Sequence, residues 1–278
     1  MANPKEETYE STGGLKIFMR SWQPAGPARG VIALVHGFNS HSGYYLWVAD
    51  QLLASGLAVY ALDLRGRGKS EGERYFVNKF SEYQDDVHGL VTLARSRAPG
   101  LPVFLFGHSA GGVVAANYTL DHQADLAGLI CESYAFQVYA PDFALAVLKG
   151  LSHVAPHAHS VKLPIAAFSR DPAVIAAMNS DPAVAQESQP TMTMAEMVRA
   201  DERLLRDFPQ FTLPLLILHG TADKATKPAG SQLFFDKASS KDKTLKLYEG
   251  YFHDPLNDIG KEMVIADIRS WLEKHLPA

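Results

Sequence analysis

Residues 103–112 read VFLFGHSAGG, an apolar run followed directly by the pattern G-x-S-x-G. Four consecutive apolar residues are typical of a buried β-strand, and the residues from 112 onward have the composition of a helix. The glycines of this stretch allow a strand and a helix to approach closely across a tight turn. Because a serine on such a turn projects its hydroxyl above the carboxyl end of a sheet, Ser109 is the candidate nucleophile.

Short apolar runs on both sides of this stretch predict the rest of the sheet. Their composition is continuous rather than alternating, which is typical of strands buried on both faces of a parallel sheet. These runs are residues 31–35, 57–62, 103–106, 126–131, 215–218 and 244–248. Helix-like segments separate them at residues 44–55, 80–97, 110–120, 229–237 and 261–275. The alternation predicts an α/β fold with a mostly parallel, doubly wound sheet, to which residues 15–22 add an antiparallel edge hairpin element.

The alternation of strands and helices stops between residues 134 and 207. This stretch has helical apolar patterning and no good strand. A connection of about 70 residues between consecutive strands far exceeds the usual length. We therefore interpret residues 134–207 as an inserted helical cap, and residues 1–133 and 208–278 as the core.

A serine hydroxyl is a weak nucleophile and needs a base, which is most often histidine. Two histidines follow the last strand, His253 and His275. His275 falls in the last turn of the C-terminal helix, where a solvated cation is the simpler interpretation. His253 lies in a loop at the sheet edge, from which it can reach Ser109. We predict that His253 is the base.

The acid that orients this histidine is expected in the loop after the preceding strand, where residues 219–223 read HGTAD. Asp223 fits this position, and its carboxylate would hold the imidazole tautomer and stabilise the imidazolium. Asp254 is the alternative acid, but it is adjacent to His253 and poorly placed to reach the distal ring nitrogen. The predicted catalytic triad is therefore Ser109, Asp223 and His253.

A tetrahedral oxyanion requires two N–H donors that are in place before the reaction. The N–H of Ala110, directly after the serine, is the first candidate because it lies at a helix N-terminus. The second is expected in the loop after the strand at 31–35, and Phe38 is our candidate there. His36 in the same loop is interpreted as a structural residue that orients it.

Composition excludes several classes of protein. The 278 residues include 30 acidic and 26 basic side chains, so the chain is weakly acidic and no nucleic-acid partner is predicted. The single cysteine, Cys131, allows neither an intramolecular disulfide nor a cysteine zinc site. His153, His157 and His159 have no acid or cysteine at ligand spacing, so neither a metal nor another cofactor is predicted. The polar N-terminus and the lack of a long apolar run predict a cytoplasmic location.

Six motifs occur in order along nearly the whole chain. They are HGFNSHSGYY (36–45), LDLRGRGKSEGERYFV (62–77), PGLPVFLFGHSAGG (99–112), SRDPAVIAAMNSDP (169–182), LHGTAD (218–223) and KDKTLKLYEGYFH (241–253). Together they resemble the α/β-hydrolase fold, and more closely the monoglyceride lipase and lysophospholipase group of serine hydrolases. The resemblance implies the same triad and oxyanion donors, and a cap that often forms a lipophilic lid over an acyl tunnel. Ala110 stands where methionine is common in that group.

The cap supplies apolar and methionine side chains that suit a flexible acyl chain. The candidate substrate-binding residues are Tyr134, Phe136, Tyr139, Phe143, Leu148, Met192 and Met194, and Leu145 and Met197 belong to the same apolar set. The alternative for each residue is that it packs the cap against the core. An apolar cap face could also contact a lipid surface transiently.

The leading functional hypothesis is hydrolysis of medium- to long-chain monoacylglycerols and similar carboxylic esters through an acyl-serine intermediate. A broad short-chain carboxylesterase or a lysophospholipase would use the same triad. Peptidase and carbon–carbon hydrolase activities share it as well. A different class, a hydrolase-fold receptor that binds a small molecule with little turnover, is disfavoured by the intact triad.

Overall fold

The structure is a computed structural model that describes residues 3–277. Residues 1, 2 and 278, which the predicted core includes, lie outside the described residues. The strands are β1 (Lys5–Glu10), β2 (Lys16–Trp22), β3 (Gly30–Val35), β4 (Leu57–Leu62), β5 (Val103–His108), β6 (Gly128–Glu132), β7 (His159–Val161), β8 (Gln189–Pro190), β9 (Leu215–Gly220) and β10 (Lys243–Tyr248). The helices are α1 (Leu46–Leu53), α2 (Ser81–Arg97), α3 (Ala110–His122), α4 (Asp142–Leu151), α5 (Pro172–Ser180), α6 (Thr191–Asp207), α7 (Pro228–Lys237) and α8 (Lys261–Glu273).

Eight strands form the main sheet in the order β1-β2-β4-β3-β5-β6-β9-β10. The six strands from β4 to β10 are parallel, and β2 runs antiparallel to β4, as predicted for residues 15–22. The edge strand β1 was not predicted, because its sequence KEETYE is mostly charged and four of its six residues are exposed. Charged side chains of this kind protect an edge strand from pairing with other chains.

Two apolar layers explain the continuous apolar runs of the strands. In β3, Val31, Ala33 and Val35 pack with one buried cluster, which includes residues of α2 and α3. Ile32 and Leu34 point the other way, into a second cluster with residues of α1 and α8. Both faces of the sheet are therefore covered, and the predicted α/β fold with a mostly parallel, doubly wound sheet is confirmed.

The chain between β6 and β9 adds no strand to the main sheet. It forms α4, α5, α6 and a small antiparallel sheet of β7 and β8. The expectation that residues 134–207 contain no strand is therefore wrong. These strands have only three and two residues and contain polar side chains and a proline, so they leave no apolar run in the sequence. The division into core and cap at residues 134 and 207 stays a prediction.

Part of this inserted stretch packs against the main core. Met197, Ala200 and Leu204 of α6 are buried in the same cluster as Tyr134 and Phe136. By contrast, α4 has no fully buried residue.

Within the described part of the chain, no helix combines the length and the apolar character needed to cross a bilayer.

Candidate active site

Ser109 occupies the turn between β5 and α3, at the middle of the sheet. Its backbone has φ 54° and ψ −124°, a region that L-residues other than glycine rarely adopt. Glycine at position 107 is required by close packing, because a Cβ there would lie 2.5 Å from the Gly111 carbonyl oxygen and 2.7 Å from the Gly112 Cα. The predicted strand–turn–helix is confirmed, and its packing holds Ser109 in the strained conformation.

The structure brings the three predicted triad residues together. His253 Nε2 lies 2.8 Å from Ser109 Oγ, and His253 Nδ1 lies 2.8 Å from Asp223 Oδ2. All three side chains are buried. His275 is elsewhere, with its ring nitrogens on the Trp271 carbonyl oxygen and the Asp242 carboxylate.

Asp223 is held by several donors besides His253. Its Oδ1 accepts from the N–H groups of Ala225 and Thr226, at 2.7 and 3.0 Å, and its Oδ2 accepts from the Thr226 hydroxyl at 2.8 Å. Burial alone would raise the pKa of this carboxyl, but His253 and His219 outweigh that effect and hold the pKa below its ordinary range. Asp223 is therefore a fixed negative charge beside His253.

His219 is a second histidine on Asp223 that the sequence did not single out. Its Nε2 lies 3.0 Å from Asp223 Oδ2, and its Nδ1 lies 2.7 Å from Ser231 Oγ. Because a carboxylate only accepts, Nε2 carries the hydrogen and Nδ1 accepts from the serine hydroxyl. The sequence feature that could have indicated this contact is the position of His219 at the end of β9, four residues before Asp223.

The loop that carries Phe38 lies against the nucleophile. A Cβ on Gly37 would be 2.7 Å from Ser109 Cβ and 3.0 Å from the His108 carbonyl oxygen, so only glycine allows this approach. No hydrogen bond among the described residues uses the N–H of Phe38 or of Ala110. Both groups are therefore free to donate to a bound oxygen.

His36 and Arg67 both contact this loop. His36 Nδ1 donates to the Gly37 carbonyl oxygen at 2.6 Å, and its Nε2 accepts from the Leu64 N–H at 2.9 Å. The Arg67 guanidinium lies 4.1 Å from the centre of the Phe38 ring.

Arg67 also reaches the inserted stretch. It pairs with Glu187, and its Nη2 donates to Gln189 Oε1 at 2.7 Å. Arg67, Glu187 and Gln189 are all buried. The inserted stretch is thus attached to the loop that carries Phe38.

A small cavity of about 60 Å³ reaches Ser109 and His253. Its walls are mainly apolar and include Leu145, Val161, Leu163, Met194, Met197 and Val198. A second cavity of about 410 Å³ adjoins it, because both are lined by Val138, Leu145, Val198 and Asp201. Together the two cavities extend from Ser109 to side chains of α4, with mainly apolar walls beside the serine and several charged residues in the larger cavity.

Asp201 is the one acidic residue on the wall shared by the two cavities. It lies on the same face of α6 as Met194, Met197 and Val198. Its Oδ1 is buried and has no partner among the described residues. Burial, and then the nearby Glu202, raise the pKa of this carboxyl well above its ordinary value.

The predicted substrate-binding residues separate into three groups in the structure. Met194 lines the small cavity and Phe136 the larger one. Tyr134 is fully buried and stacks on Phe136, and Leu148 and Met192 are half-buried outside both cavities. Tyr139 and Phe143 are exposed, and the Tyr139 hydroxyl donates to the Asp223 carbonyl oxygen at 2.9 Å.

A mostly parallel sheet with a serine on the turn after a central strand defines an α/β-hydrolase. The chain belongs to the Hydrolase_4 family, described as serine aminopeptidase S33, whose match spans residues 26–260. It is 34% identical to a monoacylglycerol lipase of Mycolicibacterium smegmatis over 98% of both chains. It is 35% identical to the monoglyceride lipase of Homo sapiens, over 94% of this chain and 88% of that one.

A solved structure supports the same fold. A soluble variant of the monoglyceride lipase of Saccharomyces cerevisiae superposes with a TM-score of 0.91, covering 100% of this chain and 97% of that one. At 24% identity this likeness concerns the fold alone.

Proposed function

We propose that this chain is a serine hydrolase that cleaves monoacylglycerols and similar medium- to long-chain carboxylic esters, with Ser109, Asp223 and His253 as its catalytic triad. The observation that carries the proposal is the pair of 2.8 Å contacts that His253 makes, one with Ser109 Oγ and one with Asp223 Oδ2. The two relatives above, over nearly the whole chain, bear lipase names that fit an ester substrate.

In the proposed reaction His253 Nε2 takes the hydroxyl proton of Ser109 as Oγ bonds to the ester carbonyl carbon. The N–H groups of Phe38 and Ala110 donate to the oxyanion that forms. Breakdown of this intermediate breaks the ester C–O bond, and His253 gives its proton to the leaving alcohol. His253 then takes a proton from water as the water attacks the acyl-serine. It gives this proton to Ser109 Oγ as the bond between the acyl carbon and Oγ breaks, which restores the serine and releases the carboxylic acid.

The walls of the cavities support an acyl chain as the bound group. Met194 and Met197 line the space next to Ser109, and flexible thioether side chains adapt to an alkyl chain. The small cavity alone is too small for a long chain, but the larger cavity adjoins it. The acyl group would therefore extend along α6 towards α4.

The exposed face of α4 supports a further part of the proposal, transient contact with a lipid surface. Phe143, Val147 and Leu151 recur every four residues and are 73%, 64% and 44% exposed, and Val154 beyond the helix is 83% exposed. A helix face of this kind can rest among lipid headgroups. Such contact would place the larger cavity next to the membrane-borne substrate.

We also propose a cytoplasmic location for the protein.

The proposal is tested by the Ser109→Ala variant and a panel of substrates. The panel consists of p-nitrophenyl esters from two to sixteen carbons, monoolein, lysophosphatidylcholine and an aminoacyl anilide. We expect monoolein and the longer esters to have the highest kcat/KM, and the variant to lose activity by several orders of magnitude while remaining folded.

Each of the other outcomes selects an alternative. Turnover of acetate and butyrate esters alone would favour a short-chain esterase, and preference for the anilide would favour a peptidase. Turnover by the Ser109→Ala variant would contradict the assignment of the nucleophile.

A further inference from the structure

Three ionisable side chains lie close together beside the backbone of His253. A ring nitrogen of His108 and one carboxylate oxygen from each of Glu132 and Asp254 all lie within 4.8 Å of one another. His108 and Glu132 are completely buried and Asp254 is 6% exposed. His108 Nδ1, Glu132 Oε2 and Asp254 Oδ1 have no hydrogen-bond partner among the described residues. Buried polar atoms without partners are costly, so this cluster needs a physical explanation.

The other polar atom of each side chain holds the loop that carries His253. His108 Nε2 lies 3.2 Å from the His253 carbonyl oxygen, and Glu132 Oε1 accepts from the Leu256 N–H at 2.8 Å. Asp254 Oδ2 accepts from Asn257 Nδ2 at 3.0 Å. The ends of β5 and β6 are thus bonded to residues 253–257, at both ends of one short segment.

These contacts determine which atoms of the cluster carry hydrogens. A carbonyl oxygen only accepts, so His108 Nε2 carries the ring hydrogen. Burial lowers the pKa of this imidazole, so His108 is neutral and its Nδ1 is an acceptor. The atoms that lack partners are therefore three acceptors, His108 Nδ1 and two carboxyl oxygens. The three side chains supply no further donor to them unless a carboxyl is protonated.

The charges of the two carboxyl groups also favour protonation of one of them. Among the described residues no cationic side chain is ion-paired with Glu132 or Asp254. Two carboxylates that share a buried site cannot both ionise. Burial, and then the charge of Asp254, raise the pKa of Glu132 well above its ordinary value.

We propose that Glu132 is an uncharged carboxylic acid at neutral pH and that, together with Asp254 and His108, it forms a positioning site for His253. The acid hydrogen supplies the donor that the cluster lacks, while Glu132 Oε1 still accepts from the Leu256 N–H. The positioning role rests on the proposed ester hydrolysis, whereas the protonation of Glu132 does not.

Loss of this proton would disturb the loop. The groups that face Glu132 are Asp254, His108, Tyr45 and Tyr248, and burial raises the pKa of both phenols, so they stay neutral. An ionised Glu132 would repel Asp254, which follows His253 directly. The segment would then move, and the contact between His253 Nε2 and Ser109 Oγ would lengthen.

The protonation is tested by stability, without any assay of activity. Unfolding by urea is measured for the wild type and for Glu132→Gln, which keeps the shape and cannot ionise. A folded-state pKa above the unfolded value of about 4.3 gives stability that is lost as the pH rises. We expect the wild-type unfolding constant, divided by that of Glu132→Gln, to rise about tenfold per pH unit above about pH 5, until Glu132 ionises in the folded protein.

Two results would overturn the protonation. One is a ratio that does not change with pH. The other is one divalent metal ion per chain in the purified wild type that is lost in Glu132→Gln, because the metal would then neutralise the cluster. The exposed Glu10→Gln is the matched control, and its ratio to the wild type is expected to stay nearly constant.

The positioning role is tested by the pH profile of kcat/KM for p-nitrophenyl butyrate. Glu132→Gln is expected to stay within about threefold of the wild type at pH 7, and to keep its activity at alkaline pH values where the wild type loses it. Glu132→Ala, which also loses the bond to the Leu256 N–H, is expected to lower kcat at least about tenfold with little change in KM.

The same alkaline loss in the wild type and in Glu132→Gln would overturn the positioning role. A wild type without esterase activity would contradict the proposed function instead. That result would leave the stability measurement intact, so the two failures are distinguishable.

Discussion

Replacement of Gly37 by alanine tests the proposed oxyanion site directly. The new Cβ would lie 2.7 Å from Ser109 Cβ, 3.0 Å from the His108 carbonyl oxygen and 3.3 Å from His108 Nδ1. Ordinary van der Waals contact begins near 3.4 Å, so the two backbones must separate by about 0.7 Å at the closest pair. Ser109 is held in the turn between β5 and α3, and the loop that carries Phe38 is therefore expected to move.

The expected effect of Gly37→Ala falls on kcat more than on KM. Loss of one oxyanion donor typically lowers kcat by about 10²–10³-fold, and a displacement of the Phe38 N–H should reach the lower part of that range. Overpacking of this kind costs about 1–3 kcal/mol in the free energy of unfolding. Initial rates with p-nitrophenyl butyrate and unfolding by urea measure the two effects.

Gly26→Ala is the matched control for this variant. A Cβ at position 26 meets no atom within 4 Å, so both activity and stability should stay near the wild type. If Gly37→Ala keeps kcat within about threefold of the wild type, the Phe38 N–H cannot be an oxyanion donor of the expected strength.

Three further variants test the structure around the site. Arg67→Met leaves Glu187 buried without its cationic partner and should lower the free energy of unfolding by about 3–5 kcal/mol. A urea midpoint equal to that of the wild type would contradict this. Asp201→Leu removes the acid from the wall of the cavities and should raise kcat/KM for twelve-carbon relative to four-carbon esters. An equal change for both esters would show that the acyl chain does not pass α6. Phe143→Asp should weaken co-sedimentation with phosphatidylcholine vesicles severalfold, whereas Ile259→Asp, exposed at a different site, should not. Equal effects of the two variants would rule out contact through α4.

The elements that the sequence predicted best are those determined by local pattern. The parallel strands are buried on both faces, so runs such as residues 57–62 are continuously apolar and match β4 residue for residue. The meeting of Ser109, Asp223 and His253 was predictable because each residue follows a recognisable strand. The edge strand β1 carries no such pattern, since its outward position favours charge.

Residues that meet only through tertiary packing could not be predicted. Tyr134 and Met194 are both apolar residues of the inserted stretch, yet one packs in the core and the other lines the cavity. Composition does not distinguish these two environments. His219 was missed for a related reason, because its pairing with Asp223 depends on how the turn after β9 folds back.

The buried contact of Arg67 with Glu187 has a consequence for how substrate enters. A lid that swung open as one rigid body would have to separate this pair, at a cost of about 3–5 kcal/mol, and would withdraw the guanidinium from Phe38. The ion pair of α4 with α6, between Lys149 and Glu202, is exposed to solvent, and α4 has no fully buried side chain. Opening is therefore expected to be confined to α4, so that the entrance can move while the loop that carries Phe38 stays in place.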